Sequence, residues 1–170
     1  MDANSRRNLI MAELKASSAP VSATRLAGKL GVSRQVIVGD VALMRAGGEK
    51  ILSTPRGYVF GQSNKGKTYA LACVHGVEDT EKELNIMVDN GCTVIDVIVE
   101  HPVYGELTGT LQLSSRYDVR QFIARLENGE VQPLSSLTGG VHIHNLDCPD
   151  EECFLRTKSE LKAAGFLYEE

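Results

Sequence analysis

The chain has 170 residues, of which 42% are hydrophobic and 24% charged, with four histidines, four cysteines and a net charge of -4. This is the balance of a soluble globular protein with room for one large domain or two small ones. No apolar run approaches the roughly 20 residues of a membrane span, and Met1-Asp-Ala-Asn-Ser-Arg-Arg7 leads into no apolar signal segment. A cytoplasmic protein without a membrane partner is therefore expected.

The net charge hides a division. Residues 1–60 hold nine Lys/Arg against four Asp/Glu, a balance of +5, leaving nine against eighteen, or -9, for residues 61–170. A basic first third on an acidic body implies two modules, the first facing an anionic polymer, for which nucleic acid is the natural candidate.

In chain order, Leu9, Ile10, Ala12 and Leu14 among charges predict a helix over 5–17. Ser22 caps a second helix, Ala23 to Leu30, and after the Gly31-Val32 turn Ser33 caps a third from Arg34 to about Arg45, with Val36, Ile37, Val41 and Met44 expected inside. Two short helices joined by a tight turn are a helix-turn-helix, though a helical domain that binds nothing would share the apolar pattern. The polar positions favour DNA. Ser33, Arg34 and Gln35 open the recognition helix, where side chains reach base edges, and Arg45 follows near its end. Ile51 to Phe60 reads as two strands about a turn with Arg56 at the tip, a wing whose arginine is placed for phosphate or the minor groove. Gly39 inside the recognition helix weakens it by about 1 kcal/mol relative to alanine, and the Gly47-Gly48 loop makes the connection to the wing pliant.

Residues 1–61 thus form a winged helix-turn-helix, 62–67 a Gly/Ser-rich linker, and 68–170 a second domain. There the pattern predicts strands at 68–75, 93–101, 106–113 and 139–145 and helices at 80–90, 116–128 and 149–164. The order βαββαβα suits an antiparallel sheet with its helices on one face, an α+β open-faced sandwich. Cys73, Cys92, Cys148 and Cys153 lack CxxC spacing and read as buried thiols, although Cys148 four residues after His144 leaves a mixed His/Cys zinc site conceivable.

The histidines carry the chemistry. His142 and His144 are separated by one residue on a predicted strand, so they face the same way about 7 Å apart, a spacing that two metal ligands can use. His75 and His101 each close another predicted strand. Singly, any of them also fits a hydrogen-bonded half-core residue. Glu83, in the first turn of the helix after His75, is a candidate acidic ligand. It equally fits a capping box, Thr80-Glu-Lys-Glu83, in which Thr80 caps the helix and Glu83 reaches back to its amide.

The segments Ala72-Cys-Val-His-Gly76, Val99-Glu-His-Pro-Val-Tyr-Gly105, Leu137-Thr-Gly-Gly-Val-His-Ile-His144, Ser33-Arg-Gln-Val-Ile-Val38 and Thr54-Pro-Arg-Gly-Tyr58 together resemble the niacin-responsive transcriptional repressors, which join a helix-turn-helix to a three-histidine domain. The resemblance covers nearly the whole chain. It implies one divalent transition metal, nickel, zinc or iron, held by His75, Glu83, His142 and His144, with nicotinic acid or a close relative as co-repressor. His101 and Tyr104 are expected in the effector pocket. The function expected on these grounds is a homodimeric repressor binding double-stranded operator DNA at genes of niacin uptake or NAD synthesis. The competing expectation is a metal-dependent hydrolase with an auxiliary DNA-binding domain, using Glu100, Glu106 or Asp147 as base, but no nucleophile motif or phosphate loop supports an enzyme.

Overall fold

A computed structural model describes residues 1–61, 66–129 and 131–169. The chain divides into two compact units, Met1–Ser63 and Asn64–Glu170. Of the expected linker, residues 62–65 lie outside the described residues, and Lys67 already opens the next strand.

In the first unit, α1 (Ala3–Ala16) begins earlier than its apolar positions suggested, because Asp2 caps it and accepts from the Asn4 and Ser5 amides. Ser22 caps α2 (Ala23–Leu30), and Gly31, with φ of 66°, ends it in the left-handed region. Ser33 then caps α3 (Arg34–Ala46), accepting from the Val36 amide at 3.3 Å. Ile10, Leu14, Leu26, Ile37, Val41 and Met44 meet in one core. Val36 was expected among them but is exposed. Ile37, Val41 and Met44, at four- and three-residue steps, occupy the inward stripe, and Val36 sits a further 100° round the helix. Leu9 likewise faces outward.

The strands β1 (Ile51–Thr54) and β2 (Gly57–Phe60) pair antiparallel as the wing. Two backbone hydrogen bonds of 2.9 Å between Val21 and Tyr58 tie β2 to the segment preceding α2. Gly57 is required for this approach: its φ is 138°, and a Cβ there would lie 2.5 Å from the Val21 carbonyl. The Gly47-Gly48 loop therefore feeds a hairpin anchored at its far strand.

The second unit runs β3 (Lys67–Val74), α4 (Thr80–Asp89), β4 (Thr93–His101), β5 (Gly105–Leu113), α5 (Arg116–Asn128), β6 (Val141–Cys148) and α6 (Glu151–Ala163), with 3-10 turns at Val77–Asp79 and Leu134–Thr138. The sheet order is β3-β6-β4-β5 and every pairing is antiparallel. The last strand of the sequence thus lies in the middle of the sheet. Side chains from one sheet face, among them Leu71, Cys73, Val94, Leu111, Leu113 and Leu146, form a single core with Leu84, Met87, Val119, Cys153 and Leu161 of the three helices. The opposite face carries Ile143, 40% exposed.

Two boundaries differ from expectation for physical reasons. β6 starts at Val141 rather than residue 139 because Gly139 and Gly140 adopt φ of 64° and 96°, outside strand geometry. It then continues to Cys148 because both neighbours pair with it there, Lys67 opposite Cys148 and Thr93 opposite Asp147. The Thr80 cap is also absent. Thr80 already has helical geometry inside the turn entering α4, and its hydroxyl is buried without a hydrogen bond.

Candidate metal centre and nucleic-acid interface

Three elements converge on Glu83. His75 follows β3, His142 and His144 share the inward face of β6, and Glu83 enters from the first turn of α4, itself only 1% exposed. Since the capping box does not form, the carboxylate is free to turn inward. His142 Nε2 lies 3.2 Å and 3.0 Å from its two oxygens, His144 Nε2 lies 2.6 Å from Oε1, and His75 Nε2 contacts Oε2.

The other ring nitrogens decide what these contacts mean. His75 Nδ1 lies 2.7 Å from the Gly76 carbonyl, His142 Nδ1 2.8 Å from that of Gly140, and His144 Nδ1 2.7 Å from that of Asp96. A carbonyl only accepts, so each Nδ1 donates its proton and each neutral ring turns a bare Nε2 lone pair inward. Three bare nitrogens and a carboxylate then face one another without a donor among them, and His75 Nε2 is buried with no hydrogen bond. A cation satisfies such a set. Protons can do so in part: burial disfavours the His144 imidazolium, but the charge and hydrogen bond of Glu83 more than offset this and raise its pKa. Burial likewise opposes Glu83 ionisation, yet the His144 charge and hydrogen bonds from His142 and His144 hold its pKa near about 2. A divalent metal fits the same donors, and the backbone carbonyls fix the tautomers as outer partners of metal-bound histidines do.

Residues not singled out from the sequence complete the frame. Gly140 passes so close to His75 that a Cβ would lie 2.4 Å from the His75 carbonyl oxygen, with φ at 96°. Asp96 sits where the pairing of β4 slips by one residue, between Val94 opposite Leu146 and Ile98 opposite Ile143. The irregularity lets its carbonyl take the His144 proton while its carboxylate accepts from the Asn145 amide and side chain, both at 3.1 Å. Cys73, directly across from His142, is buried beside Glu83, and burial together with that charge raises its pKa. The Gly139-Gly140 pair was the sequence signal for the turn, whereas a pairing slip leaves no mark of its own in composition.

His101 and Tyr104 belong to the β4–β5 hairpin. His101 Nδ1 accepts from the Val103 and Tyr104 amides at 3.1 and 3.3 Å, its ring lies 5.1 Å from that of Tyr104, and Tyr104 is 75% exposed. The hydrogen bonds of His101 turn it toward its own hairpin, not toward Glu83. In the first unit, Arg34, Gln35 and Arg45 are exposed on α3, Ser33 serves as its cap, and Arg56 lies in the wing turn with its amide bonded to the Thr54 hydroxyl at 3.2 Å. Arg6 and Arg7 instead turn to the buried Asp40 of α3, at 2.5 and 3.3 Å.

The sequence matches the 3H domain over residues 68–170 and an HTH domain over residues 6–59. It is 46% identical over 165 residues to the "Probable transcription repressor NiaR" of Thermotoga maritima, covering 97% of this chain and 94% of that protein. It is also 43% identical over 171 residues to the "Transcription repressor NadR" of Bacillus subtilis, covering 98% and 94%. The chain belongs to the NiaR/NadR family of transcription repressors. Membership assigns it to regulators rather than enzymes, so the hydrolase alternative falls. Among the described residues, no helix is long and apolar enough to cross a membrane.

Proposed function

We propose that this protein represses genes of niacin uptake or NAD synthesis by binding operator DNA, with nicotinic acid or a close relative as co-repressor sensed by the second domain. The observation that carries the sensor reading is the set of three Nε2 lone pairs and one carboxylate around a point with every Nδ1 tied to backbone. His75, Glu83, His142 and His144 would hold one divalent ion, nickel, zinc or iron, whose remaining coordination positions would accept a pyridine nitrogen or carboxylate. His101 and Tyr104 are assigned to the effector's approach from the neighbouring hairpin.

On the DNA side, Arg34 and Gln35 at the exposed start of α3 would read base edges, with Arg45 and Arg56 toward the backbone and the Ser33 cap fixing where the helix begins. One such module reads a short half-site, so a homodimer on a two-fold operator supplies the affinity and specificity a repressor needs. It would act in the cytoplasm, where its operator is. For the effector to act as co-repressor it must bind the DNA-competent arrangement more tightly than the alternative.

Calorimetric titration of nicotinic acid into metal-loaded protein, repeated after chelation, tests the sensor. Binding that requires metal and disappears in His142→Ala supports it. Equal binding with and without metal would sink the metal's role in sensing, and no binding in either form would remove nicotinic acid as effector while leaving the DNA-binding module standing.

A further inference from the structure

Three of the chain's four cysteines meet at one point away from the histidines. Cys92 follows the end of α4, Cys148 ends β6, and Cys153 lies in the first turn of α6, where its amide donates to the capping Asp150 carboxylate at 2.7 Å. The Cys92 sulfur is 3.1 Å from that of Cys148 and 3.6 Å from that of Cys153, and all three sulfurs lie within 4.8 Å of one another. We infer that Cys92, Cys148 and Cys153 form a second metal site, a tris-thiolate pocket for one zinc-class divalent cation.

The Cys92 and Cys148 thiols lie within hydrogen-bonding reach of each other. Three sulfurs bound at about 2.3 Å to one zinc stand roughly 3.8–4.0 Å apart, so the separations of Cys92 from Cys148 and from Cys153 reach a ligating arrangement by opening less than about 1 Å. The Thr157 hydroxyl, 3.3 Å from the Cys92 sulfur and fully buried, occupies a place beside the triangle of sulfurs. The Cys153 thiol donates to the Asn90 carbonyl at 2.8 Å, a hydrogen bond that ligation would exchange for the metal. Arg156, one turn along α6, is held there by the Asn90 side-chain and backbone oxygens at 2.8 and 3.2 Å.

The pocket is separate from the histidine centre. Cys148 lies four residues beyond His144 on an extended strand, about 13 Å away. Cys92 lies nine residues beyond Glu83, a comparable distance along α4 and its end. That distance excludes the mixed His/Cys zinc site that the sequence left open. It also makes the role structural, joining the end of α4, the middle strand and the start of α6 in a metal bond. With exposures of 1%, 0% and 2%, the three thiols offer no thiolate to peroxide, and loading belongs to the folding step.

The test refolds the full chain with cobalt, which substitutes for zinc and reports sulfur ligation by near-ultraviolet charge transfer. The expected result is two cobalt equivalents in the unaltered chain, and one in His142→Ala/His144→Ala that keeps the sulfur band. Cys148→Ser and Cys153→Ser should each abolish that band, while Cys73→Ser should leave it. A folded, unaltered chain that takes up cobalt without any sulfur band overturns the proposal. So does intact-mass evidence that Cys92 and Cys148 are isolated as a disulfide.

Discussion

Gly140→Ala should disable the histidine cluster without touching any of its four side chains. At φ of 96° an L residue is strained, which costs about 1–2 kcal/mol. The added methyl would also stand 2.4 Å from the His75 carbonyl oxygen and 3.2 Å from its carbon, both backbone atoms that no rotamer change can move. Relief requires β3 and β6 to part at Val74–Val141, one residue from each of the two histidines that the pairing holds together. With strain and displacement combined, a loss on the order of 2–4 kcal/mol is expected. Gly139→Ala is the matched control, since its φ of 64° carries similar strain but nothing lies within 4 Å of a new Cβ. Urea unfolding of metal-free protein gives the stability term for each. Competition with a metallochromic chelator gives affinity, where a displaced ligand or outer partner weakens metal binding 10- to 100-fold. Gly139→Ala should lose only about 1–2 kcal/mol and bind metal normally. If the two substitutions weaken metal binding equally, the close approach at His75 is not what holds the site.

The remaining predictions divide between the two units. Gly39→Ala should stabilise α3 by about 1 kcal/mol, because the residue is helical and a Cβ there meets nothing within 4 Å; a lowered urea midpoint would show that the helix needs glycine. Arg34→Ala and Gln35→Ala should each weaken operator binding by about 1–3 kcal/mol in a mobility-shift titration while leaving effector affinity unchanged. The pKa shifts of Glu83 and His144 set opposite limbs in metal-free protein. Glu83, lowered from 4.5 to about 2, adds stability that is present above pH 4.5 and lost as pH falls toward 2, on the order of 3 kcal/mol. His144, raised from 6.5, adds stability that is present below pH 6.5 and lost as pH rises through its folded value. Glu83→Gln should flatten both limbs in urea midpoints measured against pH, and an unchanged acid limb would show that another carboxylate controls it.

What was legible in the sequence is what depends on local rules. The Ser22 and Ser33 caps and the Gly31 turn follow from side-chain chemistry within a few residues, and these elements formed where that chemistry placed them. Val36 failed because neighbouring apolar residues on a helix cannot both face one core, and the stripe of Ile37, Val41 and Met44 that packs with Ile10 and Leu14 of α1 leaves it outside. The convergence of His75, Glu83, His142 and His144 was reached from the sequence through family resemblance, because periodicity alone left Glu83 equally fit to cap α4. Tertiary structure breaks that tie. A cap satisfies one backbone amide at the surface of a helix end, whereas turning inward gives the carboxylate two buried imidazoles beside a third. Three Nδ1 protons must first be bound elsewhere for that turn to be favourable, and their acceptors are the carbonyls of Gly76, Gly140 and Asp96. Two belong to turn glycines and one to a slip in strand pairing, so the donor set that the side chains offer is fixed by backbone that no ligand-spacing rule reads.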